Sequence, residues 1–552
     1  MKTHFIIVLL VFVTGSTNLF AQIIERPRPA EWNQLVEGAR FIDRFLPMPS
    51  GFLSTDTWGA ENVVPRYIDN GIENRKWSFW GGNVLRGDDG KYHLFVCGWL
   101  ESSPKGHHEW SNSIVFHAVC DNSIGPFVVR DTIGKGHNPE VFRLKDGRYV
   151  LYVINGRYIA DSVNGPWTYG KFDFDPRDRR IIEGLSNLTF TRRNDGSVLM
   201  VCRGGGIWIS QTGLSPYYQI TDKRVYPDVE GRFEDPVVWR DSVQYHLIVN
   251  DWLGRIAFYQ RSKDGIYWVT DPGEAYTPGI ALHEDGLNED WFKYERIKIL
   301  QDEFGRAIQA NFAVIDVLKN DDKASDNHSS KNISIPLNPG LLLTILDKKP
   351  ITSKTSTIRV MIAAEKGFNP QTDVDVASLR FGASSEVNYG RGCKALKTEN
   401  NGADLIVVFN GQGNGITDNE FAPKLIGRTK SGKLLFGYAK LPWVNYNPPV
   451  LSARLPVFSP STNGFNLDVE VQNFGEVPSA KATLKLEYED NGKMSVIGAV
   501  TLPALNPYEK TNVKLSCGNL FEKGKEYIFL TTIQSKQQNT FTNTLKSVPV
   551  KE

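Results

Sequence analysis

Five acidic residues stand at or near the starts of short apolar stretches: Glu140, Glu183, Glu234, Asp235 and Glu295. Such stretches read as strands, and the ends of several strands can converge on one pocket. Carboxyls crowded into one pocket push one another's pKa values apart, so that one stays protonated while another ionises. Such a pair can donate a proton to a departing oxygen while the second group activates water or attacks carbon. The base is expected among Glu140, Glu183 and Glu295, with Asp56 and Asp69, ahead of the first repeat, as further sources. Asp235 precedes Pro236, so a turn-capping role stands beside a role in the pocket.

Groups able to bind rather than react lie close to these acids in sequence. His107 falls in Lys105-Gly106-His107-His108-Glu109-Trp110, and His137 and Asn138 follow Gly136. The histidines suit hydrogen bonding to hydroxyls, and their spacing carries no metal-ligand signature. Arg203 and Arg296 suit an anionic substituent, because a guanidinium fork matches a carboxylate or sulfate. Trp80 offers a flat face, and Asn83 lies in the same stretch.

Positioning these residues falls to a repeated hairpin. Gly82–Val96 and Pro139–Val153 each read as a strand, an Asp-Gly turn and a second, alternating strand. The pattern returns around Asp195-Gly196, Asp241-Ser242 and Phe304-Gly305. Turn landmarks at 90, 147, 196, 242 and 305 give a repeat of about fifty residues, the size of a four-stranded propeller blade. Polar turns followed by an aromatic, such as Gly125-Pro126-Phe127 and Gly165-Pro166-Trp167, suit the outer strands of such blades. Alternating segments continue from Ile358 to Ile362 and Leu405 to Phe409, and again after Pro448-Pro449, where Leu467, Val469 and Val471 alternate.

The expected organisation is a leader over 1–21, a five-bladed propeller over 22–335, a β-rich module over 336–445 and an immunoglobulin-like β-sandwich over 446–552. The expected fold class is therefore all-β, a five-bladed β-propeller followed by two sandwich-like domains. The leader reading rests on Lys2, the apolar run Phe5–Val13 and small residues up to Ala21, and it implies a secreted or periplasmic chain.

A formal net charge of +1 argues against nucleic-acid binding by bulk positive charge. No stretch approaches the ~20 apolar residues that a membrane-spanning helix needs. Cys97, Cys120, Cys202, Cys393 and Cys517 form no close pair, and small buried thiols are expected, although Cys97 and Cys120 fall in neighbouring strands where a bridge is feasible. The sequence sets no oligomeric state.

Asn138-Pro139-Glu140-Val141 before Asp146-Gly147-Arg148-Tyr149, the two Gly-Pro-aromatic turns, and Phe233-Glu234-Asp235-Pro236 occur in order and at blade spacing. With these features, residues 55–335 resemble the five-bladed glycoside hydrolases of family 43 and their relatives. The resemblance implies a glycosidase acting on a polysaccharide or oligosaccharide, with a Glu acid in the fourth blade at Glu234. It also implies an Asp base in the first blade and an assisting Asp in the third. This sequence departs at both, with Trp80-Gly81-Gly82-Asn83 at the first and Ser186-Asn187 at the third, Glu183 lying three residues earlier. The missing first-blade Asp favours, as the alternative, a non-catalytic carbohydrate-binding propeller, and the last module suggests a surface adhesion protein. The last module resembles CARDB-type adhesion-like domains. No cofactor is implied, with a structural Ca or Na ion at the propeller axis left open.

Overall fold

The structure, a computed structural model, describes residues 23–55, 63–490, 492–518, 521, 526–535 and 538–549. The expected leader and Asp56 lie outside the described residues. The chain is all-β.

Five sheets follow one another along the chain. The first comprises Trp77–Arg86, Tyr92–Leu100, Ile114–Cys120 and Val128–Lys135. The second comprises Glu140–Arg143, Tyr149–Val153, Gly156–Ala160 and Thr168–Gly170. The third has Thr189–Arg192 as its inner strand and takes in Phe174–Asp175, parallel to Tyr217–Gln219, at its outer edge; the fourth starts at Phe233–Arg240. The fifth has three strands, Lys293–Gln301, Ala307–Ile315 and Ser330–Pro336. Apart from that parallel pair, the strands within each sheet are antiparallel and paired in chain order. Ile72, from the segment before the first sheet, bridges Asn332 on the outer strand of the fifth.

The hairpin turns form where the sequence places them. Gly90, Gly147, Gly196 and Gly305 all take positive φ, which L side chains resist. At the fourth turn no glycine is present. There the Asp241 carboxylate accepts from the backbone N–H groups of Val243 and Gln244, so a side chain holds the turn instead.

The first strands of the five sheets touch in a closed cycle: first to second, second to third, third to fourth, fourth to fifth, and fifth back to first. The inner strands of each sheet are buried on both faces, and period-two alternation divides their side chains between two neighbours. Val150 and Tyr152 join Phe190, Val198 and Met200 between the second and third sheets. Leu151 and Val153, on the opposite face, join Phe95 and Val115 of the first sheet. Equivalent layers separate the third from the fourth sheet, the fourth from the fifth, and the fifth from the first. Each fully buried Val, Leu or Phe contributes ~1.5–3 kcal/mol. The apolar cores lie between sheets, which leaves the axis of the cycle to polar groups.

The next module differs from the sandwich-like arrangement expected for 336–445. Its strands form a closed seven-stranded barrel. Leu341–Ile345 pairs antiparallel with Thr357–Ile362 on one side and parallel with Leu434–Tyr438 on the other, which joins the two edges of one sheet. Closure satisfies backbone groups that an open edge would leave unpaired. Phe381, Phe409, Val407 and Leu425 fill the interior. After Leu451 two four-stranded sheets face each other across Leu467, Val469, Leu484, Leu486 and Phe529.

The C-terminal modules are fastened to the five-sheet body through buried arginines. Arg177 donates to the Ser452 carbonyl at 2.9 Å, and Arg193 donates to the Phe474 carbonyl at 2.8 Å. Arg261, ion-paired to Asp271, donates to Ser384 of the barrel module at 3.1 Å. All five cysteines are free thiols, four of them buried and Cys120 half-buried.

Candidate active site

One backbone feature recurs at the same end of all five first strands. Gly81, Asn138, Asn187, Asp235 and Arg296 each take φ between +27° and +56°. The pairing register breaks there in the first, fourth and fifth sheets, at Trp80/Gly82, Glu234/Val237 and Glu295/Lys298. A bulge of this kind re-aims side chains without ending the strand. A non-glycine residue held in this region costs about 1–3 kcal/mol and persists only where its surroundings fix it.

Those surroundings are a ring of hydrogen bonds on the axis. Asn138 Nδ2 donates to Asn187 Oδ1 at 3.0 Å. Asn187 Nδ2 donates to Asp235 Oδ1 at 3.0 Å and to Glu234 Oε1 at 2.8 Å. The Arg296 backbone N–H and Nη1 both reach the Asp235 carboxylate, at 3.2 and 2.8 Å. Arg296 Nη2 returns to the Asn138 carbonyl at 3.5 Å. Gly81 completes the ring as its gap: a Cβ there would sit 3.1 Å from Asn138 Oδ1 and 3.3 Å from Arg296 Cγ. These residues form a buried polar floor.

The residue just before each ring member lines a cavity of about 970 Å³ above that floor: Trp80, His137, Ser186, Glu234 and Glu295. Five sheets thus contribute one side chain each, and two of the five are carboxylates. Burial is the largest cause that pushes Glu234 up to about 7; the charges of Asp235 and Glu295 push the same way, and those of Arg203 and Lys319 oppose. Arg203 Nε lies 3.5 Å from Glu234 Oε1. Glu295 is ion-paired to Lys319 at 2.6 Å and to Lys293 at 3.7 Å. The Lys319 ammonium also sits over the Trp80 ring, 4.8 Å from its centroid.

The walls combine aromatic faces with neutral imidazoles. Burial pushes His107 and His137 well below the usual histidine range, which leaves both uncharged near neutral pH. His137 Nδ1 meets Ser113 Oγ at 2.8 Å, and its ring packs against Trp110. The edges of Trp80 and Trp99 enclose His107. Trp110, Tyr158 and Tyr169 line the outer part of the cavity, where Trp110 and Tyr169 remain exposed.

Of the residues singled out in the sequence, Glu234, Asp235, Glu295, Trp80, His107, His137, Asn138, Arg203 and Arg296 line this one cavity. Four others do not. Glu140 follows its ring residue by two positions, which drops it beneath the floor. There it is ion-paired to Lys298 and accepts from Thr189 Oγ1 at 3.1 Å and from the Phe190 N–H at 2.8 Å. Burial pushes Lys298 down to about 8, opposed chiefly by Glu140. Asn83 also lies below, where its amide exchanges two hydrogen bonds with the Val141 backbone, at 2.8 and 3.0 Å, and staples the first strand to the second sheet. Glu183 is exposed in the loop before the third sheet, outside the cavity lining. Asp69 accepts from the Phe52 N–H, also away from the cavity. Among the expected bases, the described structure leaves Glu295 beside Glu234.

Lys319, Lys135, Tyr158 and Asn187 also line the cavity, beyond the site residues expected from the sequence. Asn187 carries a signal, since it stands nine residues ahead of Gly196, as Asn138 stands nine ahead of Gly147. Lys319 carries none, because it reaches the cavity from the long connection between two strands of the fifth sheet.

No family model and no curated protein matches the chain. Solved structures do. A protein of unknown function from Dyadobacter fermentans is 14% identical over 54% of this chain and 94% of its own, with a TM-score of 0.30. A thermostable family-43 glycoside hydrolase is 13% identical over 48% and 90% of the two chains, with a TM-score of 0.30. A family-43 glycoside hydrolase from Bacillus licheniformis is 9% identical over 86% and 89%, with a TM-score of 0.32. No helix among the described residues is long and apolar enough to cross a membrane.

Proposed function

We propose that this chain is a secreted, exo-acting glycoside hydrolase whose first 335 residues, after an N-terminal leader, form a five-bladed propeller. Its substrate in this reading is the end of a polysaccharide chain or an oligosaccharide. The observation that carries the proposal is the pair Glu234 and Glu295 in one cavity, the first pushed up to about 7 and the second ion-paired. Cleaving an acetal needs a proton for the departing oxygen and a second carboxyl for water or for the anomeric carbon. Glu234 is protonated over the weakly acidic range and supplies the proton. Glu295 acts as the carboxylate, and the Lys319 ammonium fixes its orientation.

Chain-end selectivity is supported by the polar floor, in which Asn138, Asn187, Asp235 and Arg296 hydrogen-bond to one another across the axis. Sugar hydroxyls would meet Arg203, the neutral imidazoles and the Asn138 and Asn187 amides. Ring faces would meet Trp80 and Trp110. The barrel and the CARDB-like sandwich are accessory modules in this reading. Trp80, in the blade position where the resemblance called for a carboxylate, favours a second reading: a carbohydrate-binding protein without turnover.

Both readings are tested by incubating the full chain, Glu234→Gln and Glu295→Gln with a panel of plant and algal glycans. Monosaccharide or short products from the parent alone support hydrolysis. Equal product release by Glu234→Gln removes the acid. Glycan retention with no product from any of the three supports the binding reading.

A further inference from the structure

We propose that Glu101, Asp322 and Asp326 form a calcium site that pins the connection between Ile315 and Ser330 onto the end of the first sheet's second strand, Tyr92–Leu100. One carboxylate oxygen from each residue lies within 4.8 Å of the other two. Two ligands at ~2.4 Å on opposite sides of one Ca²⁺ are separated by about that distance. Asp322 is 2% exposed, and neither of its oxygens accepts a hydrogen bond. Its carboxylate is therefore buried against two other acids, with the His107 backbone N–H nearby and no donor in hydrogen-bonding geometry. Among the described residues no Lys, Arg or His is ion-paired to Glu101, Asp322 or Asp326, although Arg66 and His328 are paired to the neighbouring Asp316.

The partners that are present hold the cluster in shape. Glu101 accepts from Ser78 Oγ and, at 2.8 Å, from Ser329 Oγ. Asp326 accepts from the backbone N–H groups of Lys323 and His328, both at 2.8 Å. The donor set is all oxygen, with neither His nor Cys, which selects a hard cation. A flexible set of carboxylates completed by water suits Ca²⁺ better than Mg²⁺, which demands near-octahedral geometry.

The site has a consequence for the cavity. Lys319, which pairs with Glu295, lies three residues before Asp322. The Asp322 carbonyl abuts Gly106, where an added Cβ would fall 2.0 Å from it, and His107 follows directly. A cation at this site would hold both residues at the cavity wall.

The test uses the purified full chain stripped with a chelator, then titrated with CaCl₂ by calorimetry and melted with and without Ca²⁺. The expected result is one Ca²⁺ per chain and, at saturating Ca²⁺, a melting midpoint higher by about 5 °C. Asp322→Asn and Glu101→Gln should both lose the response, while Asp321→Asn, exposed and outside the cluster, should keep it. Should the first two variants fail to fold, the titration of the parent decides alone. No binding heat and no midpoint change at millimolar Ca²⁺ would overturn the site, leaving Asp322 as a buried neutral acid. A response to Ca²⁺ retained in Asp322→Asn, or an equal response of the parent to Mg²⁺, would overturn it as well.

Discussion

Replacing Glu234 by Gln should make the protein more stable at pH 8 and leave it nearly unchanged at pH 5. Burial raises this carboxyl from its ordinary 4.5 to about 7 in the folded chain. A carboxyl raised in this way favours the protonated form on folding. Stability is therefore whole below about pH 4.5, declines as pH climbs toward 7, and stays reduced above it. A rise of about 2.5 units corresponds to ~3 kcal/mol at pH 8, at 1.36 kcal/mol per unit. Gln keeps the acceptor that Asn187 Nδ2 uses at 2.8 Å, so the substitution removes the charge and little else. For the unit that contains the five sheets, ~3 kcal/mol translates to a gain of about 5 °C in melting midpoint. Scanning calorimetry of both proteins at pH 5 and pH 8 measures it. Equal midpoints at pH 8, or a gain of the same size at both pH values, would show that Glu234 is not held protonated by its surroundings.

Three more outcomes follow from the same geometry. Asp235→Asn leaves the buried Arg296 guanidinium without its counter-charge, and the melting curve should show a loss of about 3 kcal/mol, the usual cost of breaking a buried pair from one side. Gly81→Ala places a Cβ 3.1 Å from Asn138 Oδ1 at φ +27°, and a loss of ~1–2 kcal/mol is expected by the same assay. Arg203→Met removes a cation 3.5 Å from Glu234, so the alkaline limb of kcat/KM should move upward from about 7 by about one unit, a figure reduced from the unscreened Coulomb value because Arg203 is partly exposed.

The hairpins were legible because their information is local. An Asp-Gly pair between two alternating apolar runs leaves little choice of structure, and the three turns that carry it fall where that pattern places them. Closure of the barrel was not legible, since it depends on parallel pairing between Leu341–Ile345 and Leu434–Tyr438, about ninety residues apart in the sequence. The site was legible in part. Glu234 and Glu295 stand immediately before left-handed residues, and that backbone feature aims both into the cavity. Glu140 has the same chemistry and a similar place at a strand start, but two positions of register send it beneath the floor to Lys298. The ring positions are hard to see in sequence because Gly, Asn, Asn, Asp and Arg share a backbone conformation rather than a side-chain type. Arg296 adopts it only because Asp235 grips both its backbone and its side chain.

Proton donation by Glu234 is tested most directly by the leaving-group dependence of Glu234→Gln. With a glycoside whose departing oxygen is a poor leaving group, kcat/KM should fall by about 10²–10⁴, the usual contribution of a positioned general acid. With an activated aryl glycoside of the same sugar, whose departing oxygen needs no proton, the fall should be far smaller. An equal loss on both substrates, or no loss on either, would contradict the assignment of Glu234 as the acid.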